Sequence, residues 1–194
     1  CVSLERILLA DTVREIGAEA FKGCRKLHSI HLPAGLKTLG AYAFYRCHHL
    51  REIILPEGVT EIGDCTFLYC DSLQRVSMPG VLRLGRQVFL NDLNLQELTL
   101  SPALSAGDIS DVFTGCGRLS RFFFSDGQPS CCLESPMDAL SAHFSGPGLV
   151  QSIARDIYRS MELQDGAITR FRTNLPRAEL PEGIVEIGKS CFFD

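Results

Sequence analysis

Residues 27–50 read LHSIHLPAGLKTLGAYAFYRCHHL, and sliding this stretch by 23 residues superimposes it on its neighbours in the chain. Leu4, Leu27, Leu50 and Leu73 fall in register, as do Phe21, Phe44 and Phe67, and so do Cys1, Cys24, Cys47 and Cys70. A fixed period in the range of roughly 20 to 50 residues identifies a solenoid, because each unit is too small to bury its own apolar residues and must stack on the next.

Counting each unit from its first leucine as position zero, position three is Ile7, Ile30, Ile53, Val76, Leu98 and Phe122. Position five is Leu9, Leu32, Leu55, Met78, Leu100 and Phe124, with more polar residues at two and four. This period of two predicts a short strand with one buried face. Pro33, Pro56, Pro79 and Pro181 follow it, and a residue without an amide donor ends the ladder there. Next come the pairs Val13 and Ile16, Leu36 and Leu39, Val59 and Ile62, Ile184 and Ile187, each followed by Gly17, Gly40, Gly63 or Gly188. The glycine predicts either a positive φ or a close approach to the neighbouring coil. Ala20-Phe21, Ala43-Phe44 and Thr66-Phe67 then lead to a cysteine three residues on, a spacing that suits a helical or 3₁₀ turn.

The pattern L-x-x-I-x-L-P-x-x-V-x-x-I-G-x-x-A-F-x-x-C resembles the BspA-type leucine-rich repeat, also called the Treponema pallidum type, over residues 1–124 and 175–194. The resemblance implies an α/β solenoid: a curved, right-handed leucine-rich repeat superhelix of coils of 22 to 24 residues, with one parallel sheet lining a face. It further implies a non-enzymatic bacterial module, placed at the cell surface or secreted, that adheres to host matrix proteins or to other cells.

The register loosens toward the C-terminus. The unit from Leu73 is 22 residues long with Asp92 in the cysteine place, and the unit from Leu95 is 24 long with Gly107-Asp108 near the usual Ile-Gly. Val112-Phe113 and Cys116 restore the pattern and Leu119 opens another strand, after which it vanishes until Leu175. The starts at 119 and 175 lie 56 residues apart, about 33 more than one unit, so residues 125–174 read as an insertion. Within it, Ser135-Pro136 predicts the start of a short helix reaching about Phe144, and Pro147 the start of a second. Leu149, Val150, Ile153, Ala154, Ile157, Tyr158 and Met161 form that second helix's apolar stripe, stopped at Asp165-Gly166. Residues 168–172 predict a strand rejoining the sheet before the regular unit at Leu175. The expected division is therefore 1–124 repeat coils, 125–174 mainly helical insertion and 175–194 a further repeat, with both termini falling inside the register of an array.

With 45% hydrophobic and 22% charged residues in 194, the chain can bury a core. A net charge of −4 without blocks of like charge gives no footprint for nucleic acid or for an anionic membrane surface. The longest apolar runs, Phe122-Phe123-Phe124 among them, fall far short of the roughly 18 residues needed to span a bilayer, so no membrane insertion is expected.

Nine cysteines invite a metal or redox reading, yet no Cys-x-x-Cys occurs and Cys24, Cys47 and Cys70 share one apolar column. They are expected to be buried structural thiols. Stacked coils would hold their Cβ atoms about 4.8 Å apart, wider than the disulfide optimum of about 3.8 Å, so disulfides are the lesser alternative. The adjacent Cys131-Cys132 is the expected oxidisable pair. His28, His31, His48, His49 and His143 show no zinc-ligand spacing and are expected at the surface. No cofactor is called for, and no nucleophile elbow, P-loop, dinucleotide fingerprint or H-E-x-x-H motif supports an enzyme.

The outward strand positions remain. Position two reads Arg6, Ser29, Glu52, Arg75, Glu97 and Arg121, which a cross-strand ladder of ion pairs explains as well as a ligand does. Position four reads Leu8, His31, Ile54, Ser77, Thr99 and Phe123, and large apolar groups on a wet face call for a partner. The candidate interaction face is Leu8, His31, Glu52, Ile54, Arg75, Thr99, Arg121 and Phe123. The expected partner is a protein, such as a host matrix or cell-surface protein, or a glycan. Two alternatives stand beside it: a structural spacer whose helical insertion carries the partner or dimer contact, and a cytoplasmic location suited to unpaired thiols.

Overall fold

The computed structural model describes residues 1–105, 111–119 and 121–125, together with the backbone of 161–164, 167–171 and 186–187. The repeat forms a parallel-sheet solenoid of about five turns, with three sides to each coil. On the first side lie β1 (Arg6–Leu8), β3 (Ser29–His31), β5 (Glu52–Ile54), β7 (Arg75–Met78), β9 (Glu97–Leu100) and β10 (Arg121–Phe124). Their register is that of the repeat, for example Ile53 opposite Val76 and Val76 opposite Leu98. The strands stop at or before Pro33, Pro56 and Pro79, as a missing amide donor requires.

The second side corrects the expectation of one sheet. β2 (Glu15–Ile16), β4 (Thr38–Leu39), β6 (Glu61–Ile62) and β8 (Arg83–Leu84) form a separate parallel ladder. Each has only two residues, the polar one exposed and the aliphatic one buried. Two residues are too few to show alternation in a sequence. The first side is also divided, into β1–β3 and β5–β7–β9–β10, with no pairing between β3 and β5.

On the third side the expected helical or 3₁₀ turn is instead a ladder of tight turns. Phe21 N donates to the Ala43 carbonyl at 2.8 Å, Phe44 N to Thr66 at 2.9 Å, Phe67 N to Val88 at 3.0 Å and Phe89 N to Val112 at 3.0 Å. Between these cross-coil bonds the chain closes local turns, such as Cys24 N to the Phe21 carbonyl and Cys47 N to the Phe44 carbonyl, both at 3.1 Å. Left-handed residues recur at two places per coil, Glu19, Tyr42, Cys65, Gln87 and Asp111 at the first and Gly23, Arg46, Tyr69, Asn91 and Gly115 at the second. A continuous helix would spend every N–H inside its own coil, whereas the reversal aims alternate N–H groups at the next coil and offsets the roughly 1–2 kcal/mol cost of a non-glycine left-handed residue.

The repeated glycine is explained by the close approach, not by φ. A Cβ on Gly40 would lie 2.5 Å from Ala18 N, and one on Gly63 would lie 2.4 Å from Ala41 N.

Inside the coils, Leu27, Leu36, Phe44, Cys47, Leu50 and Ile53 are buried, as are their equivalents above them. Complete burial of each such aliphatic or aromatic side chain contributes about 1.5–3 kcal/mol. Phe21, Phe44, Phe67, Phe89 and Phe113 form one stack with centroids 5.2 to 5.6 Å apart and planes within 20° of parallel. Beside it runs the cysteine column. Cys47 Sγ donates to the Phe21 carbonyl at 3.2 Å, Cys70 Sγ to Phe44 at 3.2 Å and Cys116 Sγ to Phe89 at 3.0 Å. Each thiol satisfies a carbonyl of the coil before it. Cys131 and Cys132 lie outside the described residues.

The two helices expected within 135–161 also lie outside the described residues. Their predicted end is corrected, however, because Met161 begins β11 (Met161–Gln164), which pairs antiparallel with β12 (Ala167–Phe171). Asp165-Gly166 between two short alternating runs is a hairpin signal, which the helix-stop reading overlooked. The strand expected at 168–172 exists as β12 but pairs with β11 and, in parallel, with β13 (Glu186–Ile187), in a sheet of its own.

Candidate functional site

The alternation that buries positions three and five turns positions two and four of each strand outward. Leu8 is 87% exposed and Ile54 61% exposed, while Thr99 and Phe123 are half-buried. His31, Glu52, Arg75 and Arg121 are exposed. At position two the ion-pair ladder is present: Arg75 meets Glu52 at 2.8 Å and Arg121 meets Glu97 at 2.5 Å. The hydrogen bond to Glu52, and after it the attraction of that carboxylate, pushes the Arg75 guanidinium above its ordinary value. Such exposed pairs set register and solubility more than stability.

The structure gathers four of the candidates around one feature. His31, Glu52, Ile54 and Arg75 line a groove of about 610 Å³ on the strand face, where they are joined by His28 and Arg51. Leu8 sits opposite His31 across β1–β3, outside the groove, and Thr99 lies opposite Phe123 on the far strands with Arg121 beside them. His28 and Arg51 occupy position one, where the chain reads Glu5, His28, Arg51, Gln74, Gln96 and Ser120. That row is as polar as position two, and its cationic stretch at Arg51 was the signal available for finding them.

A second exposed cluster lies on the turn side. Tyr45 contacts both Tyr42 and Tyr69 edge to face, with Arg46 5.0 Å from the Tyr45 ring and 5.8 Å from Tyr69, and Lys22 5.8 Å from Tyr42. Tyr42, Arg46 and Tyr69 are the left-handed residues described above, a conformation that no local pattern flags for such side chains. Their ring faces are occupied by cations of the same chain, which leaves this cluster already satisfied.

The remaining titratable groups are structural. His28, His31 and His49 are exposed as expected, but His48 is half-buried, its Nδ1 held 2.8 Å from Asp71 Oδ2. Burial, and after it the neighbouring Cys24, pushes the Cys47 thiol up to about 12, and burial followed by Asp92 raises Cys70 well above its ordinary range. Thiols so disfavoured as thiolates are poor nucleophiles and poor ligands. Asp92 itself is fully buried in the cysteine column, accepts from Cys70 N at 2.7 Å through Oδ1, and has no partner for Oδ2 among the described residues. Burial pushes its carboxyl well above the usual carboxylate range, which favours the neutral form. Among the described residues no three His, Cys, Asp or Glu side chains cluster as metal ligands.

With this geometry in place, comparison with known proteins is direct. A family model described as the BspA type leucine rich repeat region matches in six copies over residues 1–120. The crystal structure of a leucine-rich repeat protein of Treponema pallidum is 35% identical with a TM-score of 0.60, covering 63% of this chain and 57% of that one. A leucine-rich repeat protein from Eubacterium ventriosum is 27% identical with a TM-score of 0.55, over 61% of this chain and 32% of the other. A protein from Faecalibacterium prausnitzii, described as a leucine rich cell surface protein, shares the fold at 21% identity and a TM-score of 0.60, over 75% and 36% of the two chains. This chain thus spans less than two thirds of the length of each of the three. No match is found among proteins of curated function.

Proposed function

The chain belongs to the BspA-type leucine-rich repeat family, and from that premise we propose that it is an interaction module presenting its strand face to a protein or glycan. The family and its fold are generally non-enzymatic, and leucine-rich repeat proteins generally bind proteins. The observation that carries the reading is the exposed aliphatic row: Leu8 and Ile54 stand in solvent on short strands of the stacked coils. Exposed apolar groups rimmed by charges, on a surface with little conformational freedom left to lose, are what a protein interface uses as anchors. Leu8, His31, Glu52, Ile54, Arg75, Thr99, Arg121 and Phe123 form the proposed face.

Adhesion to a host matrix or cell-surface protein, and a place on the cell surface or outside the cell, belong to this proposal and draw their support from the family. Among the described residues no helix is long and apolar enough to cross a membrane. The thiols do not argue for a reducing compartment, since Cys47, Cys70 and Cys116 are buried and bonded to carbonyls. The division into coils at 1–124, an insertion at 125–174 and a further repeat at 175–194 is part of the same reading and is supported by the loss and return of the register. The right-handed winding is supported by the strong bias of parallel strand crossovers.

The test is a panel of host matrix proteins and glycans assayed against the wild-type chain and the double variant Ile54→Ser, Phe123→Ser. A partner that binds the strand face loses at least about tenfold in affinity. Unchanged binding to a genuine partner removes the strand face from consideration.

A further inference from the structure

The corner between the turn side and the strand side carries charge that no single stretch of sequence displays. At Leu27 and at Leu50, both fully buried, the chain leaves the turns of one coil and enters the strand of the next. Exposed residues flank these leucines: Arg25, Lys26 and His28 at the first, His49 and Arg51 at the second, with exposed Arg46 and half-buried His48 just before. Stacking sets the two short basic runs side by side. His49 Nδ1 reaches the Arg25 carbonyl at 2.7 Å, and Arg25, Arg46 and His48 line one depression of about 250 Å³ together with Tyr69 and Asp71. Three residues of chain, at most about 10 Å, separate Arg25 from His28 and His48 from Arg51, so this depression and the groove of the strand face adjoin across the corner.

That positive charge has little internal answer. Among the described residues Arg25, Lys26, Arg46 and Arg51 have no carboxylate partner. The acids nearby are engaged or peripheral: Glu52 meets Arg75 at 2.8 Å, Asp71 Oδ2 meets His48 Nδ1 at 2.8 Å, and Glu5 lies one coil below His28. Arg46 packs its guanidinium over the Tyr45 and Tyr69 rings, 5.0 and 5.8 Å away, which steadies the group and leaves its N–H edge for a ligand. Four such cations in a chain of net charge −4 attract a polyanion. Asp71 selects its kind. Among the described residues its Oδ1 makes no hydrogen bond, and a carboxylate oxygen standing amid the cations accepts from hydroxyl groups and repels further acid. A glycan offers acid groups and hydroxyls together, whereas an acidic peptide offers charge without a hydroxyl beside it. We propose that this corner is a second binding site, beside the strand face and independent of it, and that its ligand is an acidic glycan bearing uronate or sulfate groups. The acid groups accept from Arg25, Arg46 and Arg51, and a neighbouring hydroxyl donates to Asp71 Oδ1.

The experiment measures binding of the whole chain to polygalacturonate, dextran sulfate, uncharged dextran and polyglutamate by calorimetry at rising salt. At least one of the two acidic glycans is expected to bind and to weaken with salt, and which one binds identifies carboxylate or sulfate as the group recognised. Dextran and polyglutamate are expected to bind at least about tenfold more weakly. Arg25→Glu with Arg51→Glu is expected to lose at least about tenfold, while Lys37→Glu with Arg83→Glu, the same change of charge beside the second sheet, loses less than about twofold. Should the first pair also lower the melting temperature, Lys26→Glu repeats the test at an exposed side chain without a partner and is expected to lose about threefold. Equal losses at the corner and beside the second sheet overturn the corner as a site. Polyglutamate binding as tightly as the glycans overturns the glycan in favour of an acidic protein, and no binding of either acidic glycan overturns the proposal outright. Ile54→Ser with Phe123→Ser is expected to keep glycan binding. Loss of it there moves the ligand to the strand face and overturns the independent site, whereas a failed corner leaves the strand-face reading standing.

Discussion

On the turn side of the coils the same residues return at the same place: Phe44, Phe67, Phe89 and Phe113 are fully buried, and thiols sit beside them in three of the four successive coils. On the strand side of those coils the outward row reads Leu8, His31, Ile54, Ser77, Thr99 and Phe123, with no residue repeated. Both sides stack coil on coil, so stacking alone does not enforce identity. What enforces it is enclosure: a ring packed between rings above and below has no room for another shape. A side chain facing water is free to serve another purpose. The comparison assigns stability to the enclosed Phe and Cys columns and sets the proposed recognition face on the strand rows, and it can be attacked from either end.

The hardest blow is to the stack. Phe67→Ala removes the ring between Phe44 and Phe89 and opens a cavity that the rigid coils cannot close, so a loss of about 3–5 kcal/mol is expected in chemical denaturation. Cooperative unfolding with a much smaller loss would mean that the column is not where the stability lies.

Asp92 is the column's exception and gives the next largest effect. Its folded carboxyl is raised above the unfolded value of about 3.9, so the native state favours the proton. Stability from this group is fully present below the unfolded value and is lost progressively as pH rises toward the folded one. Asp92→Asn keeps an oxygen for Cys70 N and cannot ionise. It is expected to match the wild type near pH 4 and to exceed it at pH 8, by an amount on the order of 1–3 kcal/mol. Parallel pH curves for the two proteins, measured by thermal melts, would remove Asp92 as a titrating group.

On the strand side the signs reverse, since the exposed positions proposed to bind a partner contribute little stability. Ile54→Ser is expected to leave unfolding free energy within about 0.5 kcal/mol of wild type while weakening partner binding. A large fall in melting temperature would instead identify Ile54 as core. The smallest effect is expected for Arg75→Gln, whose pair with Glu52 is exposed and screened by salt. Its melting temperature should be indistinguishable from wild type, and a distinct, salt-dependent shift would show that the position-two ladder does more than maintain solubility.

The candidate face was legible in part, because alternation in β3, β5 and β7 identifies which side chains point outward whatever they touch. His31, Glu52, Ile54 and Arg75 were found that way, and the groove was not, since it depends on Arg51 and His28 of neighbouring coils meeting beside them. The ladder β2–β4–β6–β8 was likewise invisible, two residues being too short for any period to appear.

By itself the sequence determined the coil length, the buried columns and the register, because each coil repeats the same local problem and periodicity records the solution. Only the tertiary structure decided the rest. Tyr42, Arg46 and Tyr69 take left-handed backbone because their own N–H groups are claimed by the next coil. Gly40 is required by the backbone of Ala18 from the coil before it. The Asp92 carboxyl is driven toward its neutral form because stacked neighbours exclude water, and β3 and β5 go unpaired between coils that stay joined on their other two sides. Each of these is a relation between residues about 22 or 23 positions apart, carried by contacts that no single unit contains.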